Sequence, residues 1–252
     1  MNIKGRVALV TGSAGGIGNG IIKRLAEGGA KVVVNDLDEK RVNAAVAEIN
    51  EAGGQAIGVI ANIAKKEEVE NMFAKVVETF GRIDILVNNA GIERDRGLSK
   101  MTEEDWDAVI EVNLKGTFLC SQVASNYMRE QKHGRIINIS SRAWLGWFAQ
   151  VNYAASKGGV VSLTRSLAIE LGKYGITVNC IAPGLIKSPL FDQLDEEVRA
   201  RLLAAQPSNT VGTVEDIANL ASFFCADEAH YITGQVLYAC GGKSLFSAPA
   251  TT

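Results

Sequence analysis

Histidine and cysteine are scarce in this sequence of 252 residues. It contains only two histidines, His133 and His230, and its four cysteines stand at positions 120, 180, 225 and 240, without a Cys-x-x-Cys pair. The scarcity excludes a histidine relay from the chemistry. It also predicts buried, reduced thiols and no bound metal.

An excess of charge of one sign is also lacking, because 26 Lys and Arg stand against 28 Asp and Glu, a net charge of −2. Such a balance provides no electrostatic footprint for nucleic acid or for an anionic membrane surface. No apolar run approaches the roughly 20 residues of a membrane span. The N-terminal stretch MNIKGRVALVTGS has no signal-peptide pattern. We therefore expect a cytoplasmic protein that binds neither nucleic acid nor membranes.

What the sequence does contain is an alternation of short apolar runs with helical patterns. The runs predicted to be strands are 6–11, 31–36, 55–61, 84–89, 134–140, 176–182 and 235–238, with helical segments such as 16–29 and 39–54 between them. Near-continuous apolar runs are typical of parallel strands that are covered on both faces. The pattern predicts one α/β domain over 1–252, a Rossmann-type doubly wound parallel β-sheet flanked by helices on both faces. Ligands of such sheets bind outside the carboxyl ends of the strands.

A glycine-rich turn, TGSAGGIG at 11–18, follows the first strand and opens a helix. Gly12, Gly16 and Gly18 permit a tight turn and a close approach of the backbone, and the helix start offers free N–H groups to a pyrophosphate. The position of the turn therefore indicates a dinucleotide site.

An acid, Asp36, ends the second strand. A carboxylate there can accept hydrogen bonds from the ribose hydroxyls of NAD, whereas it would repel the 2′-phosphate of NADP. The turn itself contains no cation, and we expect Lys40 and Arg41 on the following helix to face solvent. NAD is therefore the predicted cofactor.

Tyr153 and Lys157 stand one helical turn apart in YAASK. A free tyrosine has a pKa of about 10, and a neighbouring ammonium favours the phenolate. The pair therefore suits a tyrosine that acts as a general base or acid.

Six motifs occur in a fixed order along the chain: TGSAGGIG (11–18), NNAG (88–91), VNLKG (112–116), the serine pair (140–141), YAASK (153–157) and PG (183–184). Together they resemble the short-chain dehydrogenase/reductase family, and among its single-domain members the 3-oxoacyl-carrier-protein reductases and the hydroxysteroid or alcohol dehydrogenases. The resemblance covers nearly the whole chain. It implies an oxidoreductase that acts on a small molecule, and a homotetramer with one interface formed by the helices around 104–130 and 153–172.

Carried over residue by residue, the resemblance implies four catalytic residues: Ser141, Tyr153, Lys157 and Asn113. The serine would hold the substrate oxygen, Lys157 would also bind the nicotinamide ribose, and Asn113 would hold a water that links Lys157 to solvent. The implied cofactor-binding residues are Gly12, Ser13, Gly16, Ile17, Gly18, Asp36, Asn62, Ile63, Asn89, Ala90, Gly91, Tyr153, Lys157, Pro183, Gly184, Ile186 and Ser188. Asn62 stands where relatives often carry an aspartate that contacts the adenine.

Two serines compete for the catalytic position. The family usually uses the second serine of such a pair, which is Ser141, whereas its usual interval of thirteen residues before the tyrosine leads to Ser140. Because loops absorb deletions more readily than strand ends do, we favour Ser141 and leave Ser140 open.

The substrate side of the site is predicted from Ser141, Trp144, Trp147 and Tyr153, with a mobile lid at about 184–210. The segment ERDRG at 93–97 is expected at a solvent-exposed rim. These residues predict an NAD-dependent oxidoreductase for a secondary alcohol or ketone with a hydrophobic cyclic, aromatic or aliphatic body. No basic cluster demands a carrier phosphate, which disfavours an acyl thioester. The alternatives are an NADPH-dependent 3-oxoacyl-thioester reductase and a non-catalytic NAD(H)-binding sensor or scaffold.

Overall fold

The computed structural model describes residues 2–245, apart from the side chains of residues 189 and 190. In this part of the chain, seven parallel strands form one sheet in the order β3-β2-β1-β4-β5-β6-β7. The strands are β1 Val7–Thr11, β2 Lys31–Asp36, β3 Gln55–Ile60, β4 Ile85–Asn88, β5 Gly134–Ile139, β6 Ile176–Pro183 and β7 Val236–Ala239. The predicted doubly wound parallel sheet is confirmed, and its continuity is consistent with the one domain predicted.

Helices connect the strands on both faces. They are α1 Gly16–Glu27, α2 Glu39–Glu51, α3 Lys66–Phe80, α4 Glu103–Ile110, α5 Thr117–Gln131, α6 Val151–Leu171, α7 Pro189–Asp192, α8 Glu196–Ala204 and α9 Val214–Cys225. Short 3₁₀ turns occur at Leu98–Lys100, Arg142–Leu145, Gly172–Tyr174 and Asp227–Ala229, and a π-helix at Glu111–Gly116 joins α4 to α5.

Strand β1 shows why the strands are apolar along their whole length. Ala8 and Val10 belong to a core on one face of the sheet, together with residues of α1, α2 and α9. Val7 and Leu9 belong to a second core on the other face, together with residues of α3, α5 and α6. Because successive side chains point to opposite faces and both faces are covered, every position of the strand is buried.

The strand order reverses between β1 and β4, which are neighbours in the sheet although β2 and β3 lie between them in the sequence. A crevice forms at such a switch point, at the carboxyl ends of the strands. The glycine turn after β1, the NNAG segment of β4 and the serine pair after β5 are thereby brought to one edge.

Polar contacts inside the second core fix α5 and α6 to the central strands. The side-chain amide of Asn88 donates to Ser121 Oγ at 3.0 Å and to Asn138 Oδ1 at 2.8 Å. Asn138 in turn donates to Thr164 Oγ1 at 2.9 Å. These buried hydrogen bonds tie α5 and α6 to the central strands of the sheet.

Several large apolar side chains on α4, α5 and α6 face solvent, including Trp106, Phe118 and Ile169, of which Ile169 is 86% exposed. They lie on the segments that the resemblance assigns to a subunit interface. The tetramer stays a prediction. No helix within residues 2–245 combines the length and the apolar character needed to cross a membrane.

Candidate active site

The glycine turn is built by close contact with the segment that follows β4. Gly12 has φ +62°, and a Cβ atom there would lie 2.8 Å from Ala90 Cα. A Cβ atom at Gly18 would lie 2.5 Å from Asn89 Nδ2, and that amide donates to Thr11 O at 3.0 Å and to Gly12 O at 2.9 Å. Glycine is required at both positions because no side chain fits there.

Ser13 supports the turn and its side chain does not face the crevice. Its buried hydroxyl donates to Val10 O at 2.7 Å and accepts from Asn35 N at 3.2 Å. Its backbone N–H also donates to Asn35 O, at 2.9 Å, so the predicted role of Ser13 in cofactor binding gains no support from this geometry.

A cavity of about 450 Å³ opens beside the turn, and we call it the turn cavity. Asp36 lies at its wall, where its carboxylate accepts from Leu37 N at 2.8 Å and from Ala14 N at 3.3 Å. Other lining residues from the predicted cofactor set are Gly12, Ile17, Asn62, Ile63, Asn89, Ala90 and Gly91. The structure thus brings eight residues of that set to one cavity.

Arg41 is exposed, as expected, but it also reaches the glycine turn. Its guanidinium folds back over the glycine turn, so that a Cβ atom at Gly15 would overlap Nη2 of Arg41. Arg41 lies in the first turn of α2, which Asp38 caps: the carboxylate of Asp38 accepts from Arg41 N at 3.1 Å. A cation therefore lies close to the turn, although the turn sequence contains none.

A second cavity of about 510 Å³ continues from the turn cavity, with which it shares Ile17, Asn89 and Gly91. We call it the inner cavity. A Cβ atom at Gly91 would lie 3.2 Å from Asn113 Oδ1 and 3.3 Å from Lys157 Nζ, so glycine keeps this passage open. The wall of the inner cavity includes Ser140, Ser141, Tyr153, Lys157, Pro183, Gly184 and Ile186.

Lys157 is buried beneath the inner cavity. Its ammonium donates to Ile139 O at 2.9 Å and lies 5.6 Å from the centroid of the Tyr153 ring. Burial lowers the pKa of Lys157 to about 8. An ammonium at this place is costly unless oxygen atoms surround it, so the site favours hydroxyl groups of a ligand beside Lys157.

Tyr153 carries a hydroxyl that is hard to ionise in the free protein. Burial raises the pKa of Tyr153, the charge of Glu93 adds to the increase, and hydrogen bonding with Ser141 opposes it. The expected lowering by Lys157 does not dominate, because burial is the largest influence on this pKa.

The two serines have different partners. Ser140 is buried, and its hydroxyl donates to Lys157 O at 2.9 Å. Ser141 accepts from Ala143 N at 3.1 Å and borders the same two cavities as Tyr153. This geometry favours Ser141 for the substrate oxygen and gives Ser140 a structural contact with α6.

Replacing the serines one at a time separates these roles. We expect Ser141→Ala to lower kcat about 100-fold, since it removes a hydrogen-bond donor to developing charge. We expect Ser140→Ala to lower the free energy of unfolding by about 1 kcal/mol through the lost buried hydrogen bond. Steady-state rates and thermal denaturation of both variants provide the measurement. A larger loss of kcat in Ser140→Ala would contradict the assignment.

Asn113 lies fully buried within the π-helix that joins α4 to α5. Its side-chain Oδ1 accepts from Ile92 N at 2.8 Å, and its Nδ2 donates to Ile92 O at 3.0 Å and to Ser156 Oγ at 3.1 Å. Irregular π-turns are frequent at functional sites. Here the amide anchors the chain after NNAG to α6, and its role in a water-mediated proton path stays a prediction.

Glu93 is a site residue that the sequence did not indicate. It was expected at an exposed rim, and much of its side chain is exposed, but it borders the inner cavity together with Tyr153. Partial burial and the charge of Asp95 raise the pKa of Glu93. The segment is held on both sides, by Asn113 at Ile92 and by Asn152, whose Nδ2 donates to Arg94 O at 3.1 Å.

Removing the charge of Glu93 should change the pH dependence of catalysis. Because this carboxylate raises the pKa of Tyr153, Glu93→Gln should lower that pKa and populate the phenolate at lower pH. The acidic limb of the pH profile of kcat/KM for alcohol oxidation should then move to lower pH. Glu104→Gln, an exposed acid on α4, serves as the matched control and should leave the profile in place. A shift of the limb to higher pH would contradict the prediction.

A third cavity, of about 240 Å³, lies beyond Tyr153, and we call it the outer cavity. It shares Glu93, Ser141, Tyr153, Pro183 and Gly184 with the inner cavity. Apolar walls come from Trp147, from Leu185, and from Leu202 on α8, so part of the predicted lid at 184–210 does border the site. Movement of this segment stays a prediction.

Trp144 does not line this cavity, contrary to the prediction. It lies in the 3₁₀ turn Arg142–Leu145 and stacks on Tyr238 of β7, with ring centroids 6.4 Å apart. Trp147, three residues on, follows the turn and reaches the cavity. Ser188 lines none of the three cavities. It is exposed at the start of α7, where its hydroxyl accepts from Phe191 N at 3.2 Å.

Comparison with known proteins identifies the family of the chain. The family model described as enoyl-(acyl carrier protein) reductase matches residues 12–244. The chain belongs to the short-chain dehydrogenase/reductase family. Members of this family are oxidoreductases that bind a nicotinamide cofactor.

Three relatives within this family illustrate the range of its chemistry. The (2S)-[(R)-hydroxy(phenyl)methyl]succinyl-CoA dehydrogenase subunit BbsD of Thauera aromatica is 53% identical over 98% of this chain and 100% of its own length. The 3-oxoacyl-[acyl-carrier-protein] reductase FabG of Thermotoga maritima is 41% identical over 96% of this chain and 99% of its own. The crystal structure of levodione reductase has a TM-score of 0.92 at 34% identity and covers 97% of this chain and 99% of that one.

Proposed function

We propose that this short-chain dehydrogenase/reductase is an NAD-dependent enzyme that interconverts a secondary alcohol and its ketone, with an aromatic or other hydrophobic group on the substrate. The observation that carries the proposal is the position of Tyr153 and Ser141 at the junction of two cavities. The inner cavity leads back to the glycine turn, and the outer cavity has apolar walls that include Trp147.

The groove formed by the turn and inner cavities fits a nicotinamide dinucleotide. Gly12 and Gly91 keep it open where a Cβ atom would meet Ala90 or Lys157. Asp36 would accept hydrogen bonds from the adenosine ribose, and Lys157 would donate to the nicotinamide ribose. When bound, the cofactor supplies the hydride acceptor, and the protein supplies position and electrostatics.

The remaining chemistry concerns one proton and one oxygen atom. Ser141 would hold the substrate oxygen, and Tyr153 Oη would accept the alcohol proton during oxidation or return it during reduction. The raised pKa of Tyr153 in the free protein means that this transfer needs added positive charge nearby. Lys157 and an oxidised nicotinamide provide that charge when the site is filled.

The test is a panel of secondary alcohols measured with NAD⁺ and with NADP⁺ at the absorbance of the reduced cofactor. We expect oxidation of 1-phenylethanol and of larger aromatic alcohols in preference to 2-butanol, and higher kcat/KM with NAD⁺. Absence of turnover with every alcohol and both cofactors would contradict the proposal and would favour the non-catalytic NAD(H)-binding alternative.

The second candidate is an NADPH-dependent 3-oxoacyl-thioester reductase. Arg41 favours it, because its guanidinium lies beside Gly15 in the glycine turn and could bind a 2′-phosphate. The names of two relatives, a hydroxyacyl-CoA dehydrogenase subunit and a 3-oxoacyl-carrier-protein reductase, also weigh against the earlier expectation that disfavours thioesters. A 3-oxoacyl-CoA added to the panel with NADPH distinguishes the two candidates.

A further inference from the structure

We propose that Arg142 and Lys243 form an anion-binding subsite of the outer cavity, which receives a carboxylate or phosphate carried by the substrate. The inference rests on the proposed function and specifies its substrate class. Both cations line the outer cavity, and neither lines the inner cavity or the turn cavity. The anion they would bind is therefore separate from the phosphates expected at the glycine turn.

Neither cation has a counter-charge within residues 2–245. Both side chains are partly buried, yet none of the ion pairs in this part of the chain includes Arg142 or Lys243. Withdrawing a charge from water without a partner is unfavourable. An anionic group of a ligand would remove that cost for both residues at once.

Arg142 is held in a defined position. It follows Ser141 directly, in a 3₁₀ turn that Ser141 caps, and its guanidinium lies 4.7 Å from the centroid of the Trp147 ring. Such stacking orients the planar group but does not neutralise its charge, and its N–H edge stays available for bidentate binding. Because Ser141 and Arg142 are consecutive residues, the distance between the substrate oxygen at Ser141 and the anion at Arg142 is constrained.

Lys243 reaches the cavity through a glycine turn after β7. Gly241 and Gly242 have φ of +57° and +83°, and Lys243 N donates to Cys240 O at 3.0 Å. A Cβ atom at Gly242 would lie 3.0 Å from Cβ of Pro207, so the turn packs tightly against the chain that follows α8. The tight turn sets the direction in which Lys243 leaves the backbone.

The acid at the same cavity does not compete for these cations. Glu93 borders both the inner and the outer cavity and acts on Tyr153, whereas Arg142 and Lys243 border the outer cavity alone. Negative charge thus lies beside the reacting oxygen and positive charge lies farther out. A substrate with a neutral alcohol at one end and an anion at the other matches this distribution.

The experiment compares three substrates with one reacting carbon: 3-hydroxy-3-phenylpropanoate, its methyl ester and its coenzyme A thioester. We expect the wild-type protein to prefer at least one anionic form over the ester by about 10-fold or more in kcat/KM, the contribution of one charge-assisted hydrogen bond. Preference for the free acid assigns the subsite to a carboxylate, and preference for the thioester assigns it to a carrier phosphate.

The variants Arg142→Gln and Lys243→Gln should each reduce this preference, and the double variant should abolish it, with a much smaller loss of kcat/KM for the ester than for the preferred anionic substrate. Lys100→Gln, an exposed cation outside the three cavities, is the control. Equal use of all three substrates by the wild type, or an unaltered preference in the double variant, would overturn the proposal.

A binding measurement tests the anion-binding subsite even if the proposed oxidoreductase function fails. If the wild type oxidises none of the three substrates, calorimetric titration with 3-phenylpropanoate, 3-phenylpropanol and free coenzyme A still tests the subsite. Tighter binding of either anion than of the alcohol, lost in the double variant, supports it. Equal binding by wild type and double variant overturns it.

Discussion

Tyr153→Phe should lower kcat for alcohol oxidation by about 100- to 10,000-fold, the usual contribution of a positioned general acid or base. The substitution removes only the hydroxyl of a residue that borders both the inner and the outer cavity. The aromatic ring stays in place over Lys157, so the groove and the glycine turn keep their shape. Steady-state kinetics and titration of the protein with NAD⁺ provide the two measurements, and cofactor affinity should remain close to the wild-type value.

Two controls make the loss specific. Tyr231→Phe removes the hydroxyl of a tyrosine that is 94% exposed and should leave kcat unchanged. Thermal unfolding of Tyr153→Phe should match the wild type, which excludes a loss of rate through loss of fold. Turnover retained by Tyr153→Phe would refute the role of Tyr153, and with it the proton transfer proposed above.

The second large effect concerns cofactor choice at Asp36. Asp36→Asn retains one acceptor oxygen for Ala14 N or Leu37 N but removes the charge that would bind the ribose hydroxyls. We expect the affinity for NAD⁺ to fall roughly 10- to 100-fold, equivalent to one or two charge-assisted hydrogen bonds. The affinity for NADP⁺ should stay equal or rise, because the repulsion of its 2′-phosphate is removed. Calorimetric titration with both cofactors measures the change.

Arg41 supplies the opposing test. If the carboxylate determines the choice, Arg41→Gln should alter NAD⁺ binding little, as should the control Glu39→Gln on the same helix. If the wild type instead prefers NADP⁺ and loses that preference in Arg41→Gln, the guanidinium beside Gly15 determines the cofactor, and the NADPH-dependent candidate gains support.

The features that sequence reasoning predicted are those controlled by local pattern. The apolar run of β1 predicts burial on both faces, and the structure divides its residues between two cores. Gly12 and Gly18 were predicted to permit close backbone approach, and each lies where a side chain would collide with a neighbour. These conclusions need only the geometry of a strand and of one turn.

The features that sequence reasoning missed depend on contacts between side chains and their surroundings in the folded protein. Trp144 and Trp147 are equally good candidates by composition, and only the 3₁₀ turn directs one to Tyr238 and the other to the outer cavity. Glu93 reads as a surface acid until Asn113 and Asn152 hold its segment against α6. Arg41 is exposed as expected, but its helix pattern does not reveal that the long side chain also places its guanidinium beside Gly15.

By itself, the sequence determined the parallel sheet, the family, and the order in which the motifs follow the strands. These properties follow from periodicity and from turns in which only glycine fits. The tertiary structure alone decided which partners each serine has, which tryptophan lines the outer cavity and which charges border that cavity. Those outcomes depend on how loops from separate strands meet at one edge of the sheet, and a side chain's direction there is set by contacts with residues far away in the chain.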